Sequence, residues 1–198
     1  MNNMGQILKL VGIGFGLAAL VVVVVGFLLP SSFSITRTVV IEASPERVHE
    51  FVGDLEQWPR WTPWLRTDPS LVITPGALTT GKGAHQSWQS KTGGGELTFT
   101  RCQPGWGVAF DMTLGKSKQL SACSLRYRAI AQGTELTWQL QGDSGLDIFG
   151  RYFNLMLDPL MGPMLDEGLA RIKLLAEETT EEIAPESELE NGDADPRT

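Results

Sequence analysis

The side chains best suited to proton transfer near neutral pH, to metal ligation or to nucleophilic attack, histidine and cysteine, are scarce in this sequence. Histidine occurs twice, at His49 and His85, and cysteine twice, at Cys102 and Cys123. Two thiols cannot build a disulfide scaffold or a four-thiolate zinc site. No Ser/His/Asp or Cys/His arrangement has a supporting local motif, so no catalytic residue, metal or cofactor is expected. Acid–base catalysis needs two groups within reach and with matched pKa values. Strand parity leaves Arg101 and Tyr127 as the polar candidates on an inward face. Arg101 reads either as a salt-bridged strand-end residue or as an anchor for a carboxylate or phosphate head group. His49 falls off the apolar stripe of its helix beside Glu50 and reads as solvated. His85 and Cys102 take the outward parity of their strands.

Apolar side chains offer more. Trp88, Phe99, Phe110, Met112, Tyr127 and Trp138 share the inward parity of their strands, with Arg101 near a strand end. Phe153 and Met156 join them from a long C-terminal helix. Together they would wall a hydrophobic cavity; the plainer alternative is that these rings fill the cavity themselves.

The elements that position them follow from periodicity. Phe33 to Ala43 is rich in β-branched residues and predicts a strand. Ser44-Pro45-Glu46 supplies a hydroxyl cap, a first-turn proline and an acid at the positive end of a helix dipole. Val48, Phe51, Val52 and Leu55 then form one helical stripe. Trp58-Pro59-Arg60-Trp61-Thr62-Pro63-Trp64 spaces three rings by three residues, suiting either a plug at one end of the core or an aromatic rim at a pocket mouth. From Leu71 onward, glycine-punctuated segments alternate with period two, as in an antiparallel meander with one wet and one apolar face. Such a sheet needs a cover, which Asp147 to Glu178 supplies. That segment is expected to break and restart at Asp158-Pro159 and Gly162-Pro163.

The chain has 198 residues, 42% of them apolar, with 16 Lys+Arg against 23 Asp+Glu. This excludes a wholly disordered chain and a polytopic membrane protein. The acidity argues against nucleic-acid binding, which needs a basic face. Most of it sits in residues 179–198, with seven acids and one base, a tail expected to be disordered. Leu10 to Leu29 is continuously apolar or glycine, long enough to span a bilayer and too long for the apolar core of a signal peptide. Residues 1–30 therefore read as an uncleaved anchor, 31–178 as a folded domain and 179–198 as the tail. Lys9 on the N-terminal flank favours an exported domain. Gly12 and Gly16 form a G-x-x-x-G pair, the pattern that brings two spans together in a weak homodimer and that also occurs by chance.

The sequence resembles bacterial members of the SRPBCC superfamily, START-related and birch-pollen-allergen-like, of the polyketide cyclase/dehydrase type. The resemblance is carried by the apolar run ending in Leu29-Pro30-Ser31-Ser32, by Arg37-Thr38-Val39-Val40-Ile41 into Ser44-Pro45, and by Asp54 ahead of the tryptophan motif. It continues in Gly133-Thr134-Glu135-Leu136-Thr137-Trp138 and in Glu167-Gly168-Leu169. It implies an α+β helix-grip fold, a curved antiparallel sheet wrapped around a long C-terminal helix, here preceded by one transmembrane helix. It also implies a single-pass protein of the bacterial inner membrane that binds a hydrophobic small molecule or lipid. A cyclase or dehydratase-like enzyme using Tyr127 or Arg101, and a partner-docking module without ligand, are the alternatives. No catalytic motif is common to the superfamily, so none is transferred.

Overall fold

The period-two segments pair into one antiparallel sheet of seven strands. In the computed structural model, which describes residues 3–115 and 119–178, these are β1 (Ser32–Ile41), β2 (Val72–Pro75), β3 (His85–Gln89), β4 (Gly94–Gln103), β5 (Gly107–Leu114), β6 (Gln119–Ile130) and β7 (Gly133–Asp143). Their spatial order is β1-β7-β6-β5-β4-β3-β2. The chain leaves β1 at one edge and crosses to β2 at the other through α2 (Pro45–Val52), a 3-10 turn (Leu55–Gln57) and two single-turn helices, α3 (Trp58–Trp61) and α4 (Trp64–Thr67). The remaining helices are α1 (Asn3–Leu28) and α5 (Ile148–Glu177). The acidic tail lies outside the described residues.

Alternation places the core. Leu97 and Phe99, Val108, Phe110 and Met112, Cys123, Leu125 and Tyr127, and Leu136, Trp138 and Leu140 are all buried on the face that α5 covers. Ser44 caps α2 as its sequence requires, its hydroxyl accepting from the amide of Arg47 at 3.3 Å.

The tryptophan motif drives two rings inward. Trp58 and Trp61 are fully buried, and each indole N–H finds a main-chain acceptor, Val52 at 3.0 Å and Phe51 at 2.9 Å. Trp58 packs 5.2 Å from Phe110 and 5.7 Å from Phe99, and Trp61 meets Trp138 edge-on at 5.5 Å. Gly168 lets α5 approach this cluster, because a Cβ there would lie 2.8 Å from the Trp138 ring.

α5 is one continuous helix of 30 residues with Pro159 and Pro163 inside it, which corrects the expected breaks. A proline removes the bond to the carbonyl four residues earlier, and here both prolines are exposed, four apart on one side of the helix. Arg37 reaches from β1 to Asp158 at 2.6 Å and Asp166 at 3.4 Å. Its guanidinium lies against Gly162, where a Cβ would strike it. The clasp ties the two turns that flank the prolines to β1.

Candidate ligand-binding cleft

Trp64, the third ring of the motif, stays nearer the surface and stacks on Trp88 with a 5.7 Å centroid separation and 30° between planes. The pair forms one wall of a cleft of about 360 Å³ between sheet and helix. Met112 and Leu114 of β5 line its floor, Met161 and Met164 of α5 its other side, and Ser90, Thr92, Gly93 and Gly94 its rim. A narrow apolar extension of about 20 Å³ runs inward past Phe110, Cys123, Trp138 and Leu165. That is room for roughly one water-sized group. The two readings of the tryptophan motif therefore divide by residue: Trp58 and Trp61 plug the core, and Trp64 is the aromatic rim.

Among the described residues lining the cleft, Asp68 is the ionisable one. Its carboxylate accepts from the amide and hydroxyl of Ser70, at 2.9 and 2.6 Å, and from the hydroxyl of Thr92 at 3.0 Å. These bonds, chiefly those from Ser70, hold its pKa at about 2 against an ordinary 3.8. A carboxyl whose pKa is depressed in the folded state stabilises that state above its unfolded value and loses the contribution as pH falls through its folded value. The rim should therefore stay intact at and above pH 3.8 and loosen between there and about pH 2. Protection of the Ser70 amide from hydrogen exchange, corrected for intrinsic rate, should fall across that window. A flat profile would show that Asp68 does not hold the rim.

The cleft gathers part of the expected wall. Trp88 and Met112 line it, and Phe110 and Trp138 line its extension. Phe99 is buried in the core and lies outside the cleft, packed on Trp58 and Phe110. Arg101 points to solvent, a correction with a definite cause. The register of β4 against β5 shifts between Phe99 and Arg101. This bulge inserts Thr100 as an extra residue, so that Thr100 and Arg101 both face outward. Arg101 there bonds the Gln103 side chain and lies 4.0 Å over the Trp106 ring. Phe153 and Met156 are also corrected: both project from α5 into the open, 53 and 65% exposed.

The same bulge turns Cys102 inward, against its expected parity. It meets His49, which is half-buried rather than solvated. Cys102 Sγ lies 3.6 Å from His49 Nε2, and Nδ1 of the same ring lies 3.1 Å from the Tyr127 hydroxyl. Burial lowers the pKa of His49 and raises those of Cys102 and Tyr127. The group is thus a neutral thiol, imidazole and phenol, not the thiolate–imidazolium pair of an activated nucleophile. It borders a shallow groove with Gly53, Asp54, Gly81 and Pro104. Strand register sets it at the opposite end of the sheet from the cleft, with Cys102 against Val108 and Gly95 against Leu114. Sequence spacing held no sign of this cluster, because a bulge changes parity without a residue-type marker in this strand.

A model of the family described as "Polyketide cyclase / dehydrase and lipid transport" matches residues 32–177. The chain belongs to that family. The match begins with β1 and ends with α5, so family and fold coincide in extent, and α1 lies outside it. No curated protein sequence matches the chain. Among solved structures, protein CV1439 from Chromobacterium violaceum is similar with a TM-score of 0.56 and 13% identity, over 74% of this chain and 99% of that one. The di-domain ARO/CYC StfQ from the steffimycin biosynthetic pathway has a TM-score of 0.56 and 9% identity, over 74% of this chain and 51% of that one. Ara h 8.0201 has a TM-score of 0.50 and 8% identity, over 71% and 97%. At such identities the likeness is one of fold: an α+β helix grip, with the seven-stranded sheet wrapped on α5.

Proposed function

We propose that this protein binds a hydrophobic small molecule or lipid in the cleft between Trp64, Trp88, Met112 and α5, tethered to a membrane by α1. The observation that carries the reading is the cleft itself: about 360 Å³, walled by aromatic and thioether side chains. That volume lies at the small end of ligand pockets, which are mostly apolar with a few polar groups at fixed places. The ionised Asp68 at its rim disfavours an anionic head group and suits an uncharged or cationic one. With Arg101 outside the cleft, no described residue lining it replaces the anchor for a carboxylate or phosphate that strand parity suggested.

Support for the tether comes from Met4–Leu28, 25 helical residues whose most apolar 18-residue stretch has mean hydropathy 2.7. At 1.5 Å per residue this helix is about 37 Å long, more than a hydrocarbon core requires. Lys9 before the most apolar stretch supports an orientation with the domain on the exported side.

Native mass spectrometry of the full chain, released from detergent, tests the binding. A co-purified apolar molecule of discrete mass is the expected result. Protein that emerges bare, and stays bare when titrated with a monoacylglycerol, would overturn it.

A further inference from the structure

The first half of α5 carries a second apolar face that the core does not use. Phe149, Phe153, Met156 and Leu160 recur at i, i+4, i+7 and i+11, one side of a helix. They are 84, 53, 65 and 56% exposed. The polar side chains of these turns all point elsewhere and are engaged. Arg151 donates to the carbonyls of Phe27, Leu29 and Gly145. Asn154 donates to the carbonyl of Ser31 at 2.8 Å and accepts from the Ser144 hydroxyl. Asp158 is held by Arg37. What remains outward is this row of four large apolar side chains, with Leu155 exposed on another side of the same turns.

Its depth is set by α1. The Tyr152 hydroxyl donates to the carbonyl of Val22 at 2.7 Å. Gly26 is buried against α5, where a Cβ would strike Ile148. Val22 precedes the end of α1 by six residues, so Tyr152 reaches about 9 Å back along the apolar helix. The turns holding Phe149 and Phe153 are therefore alongside the last third of α1, not beyond it.

We propose that this face of α5 is seated in the lipid of the bilayer that α1 spans, as an interfacial helix whose apolar side lies at the acyl-chain boundary. The proposal rests on the reading of α1 as a membrane span. A single row of this kind left in water would be a large apolar patch beside a hydrophobic helix, an arrangement soluble surfaces avoid. Strand register adds a consequence. Ser32 pairs with Asp143, Gly142 with Ser121, and Leu114 with Gly95. The sheet end next to α1 is thus the end that holds the cleft floor. Seating α5 puts the cleft at the membrane surface, so that an apolar ligand passes between bilayer and cleft without crossing bulk water.

Site-directed spin labelling of the full chain in nanodiscs of phosphatidylethanolamine and phosphatidylglycerol tests this. With Cys102→Ser and Cys123→Ala as background, single labels go at Phe153→Cys and Met156→Cys. Leu17→Cys within α1 and Thr100→Cys on the outer sheet face serve as lipid and water references. The expected result is that the labels at 153 and 156 lose collisions with a water-soluble nickel chelate and gain collisions with oxygen, as Leu17→Cys does. If the chelate reaches 153 and 156 as freely as 100 while 17 stays in lipid, the seat is overturned and the span survives. If 17 is also open to the chelate, the span fails and the seat with it. Labels at 153 and 156 shielded from both reagents would mean cover by protein, a second copy included, and would equally overturn the proposal. Two label sites keep the test decisive if one variant folds poorly.

Discussion

Replacing Trp61 with alanine should destabilise the folded domain by about 3–5 kcal/mol, the cost of truncating a buried tryptophan. Trp61 is entirely buried and stands between Trp58 and Trp138, beneath α5 where Gly168 allows close approach. Removal empties a space that three rigid elements cannot collapse to fill. It also strips the Phe51 carbonyl of its indole donor, and an unsatisfied buried acceptor adds to the loss. Since domain stability is typically about 5–15 kcal/mol, a large part of the margin goes with one side chain. Trp61→Phe should keep much of the packing and lose the hydrogen bond, costing about 1–3 kcal/mol. Trp64→Ala, at the edge of the cleft, should cost less than Trp61→Ala. Chemical denaturation of the full chain in detergent, followed by near-ultraviolet circular dichroism, ranks the three. Equal losses for Trp61 and Trp64 would show that the motif is one structural unit, contrary to the division between plug and rim.

That division illustrates what a sequence conveys here and what it withholds. The three-residue spacing of Trp58, Trp61 and Trp64 announces a row of rings, and two prolines announce its bends. Which rings sink is decided by partners far along the chain: Phe99, Phe110 and Trp138 for the first two, Trp88 for the third. The strands were legible for a related reason. Period two is a local property, and every inward residue from β5 to β7 follows it. Arg101 and Cys102 depart from the expected parity because a bulge breaks the period in β4, and no glycine or proline marks the place. The helix α5 departs from expectation in another way. Pro159 and Pro163 have the local character of helix starts, and tertiary contact overrides it through the Arg37 clasp on Asp158 and Asp166. Phe153 and Met156 read as cavity lining because apolar residues on a cover helix ordinarily face the core. The proximity of α1 to that helix, a contact between distant parts of the chain, is what makes the bilayer the neighbour proposed for them.

Filling the cleft from the helix side should abolish most ligand binding while leaving the fold intact. Met161 and Met164 are half-buried side chains facing Trp64 and Met112 across the open space. Tryptophan at both positions would occupy that space rather than overpack the core, since Trp58 and Trp61 line neither the cleft nor its extension. A penalty of about 1 kcal/mol in stability is the expected upper range for a substitution with room to relax. The ligand would lose room for two or three methylenes, each worth about 0.8 kcal/mol of burial. A loss of about 2 kcal/mol corresponds to roughly thirtyfold in affinity. Titration with a monoacylglycerol, read as bound mass on the intact chain, should show that shift for Met161→Trp/Met164→Trp. Arg101→Ala supplies the contrast: its guanidinium stacks on Trp106 outside the sheet, so binding should be unchanged. A double variant that loads as well as the parent would move the site out of this cleft. An Arg101→Ala loss instead would point to the outer face of β4. The pair of measurements thus locates the ligand by which side of one strand responds, because the bulge after Phe99 is what separates Arg101 from the cleft.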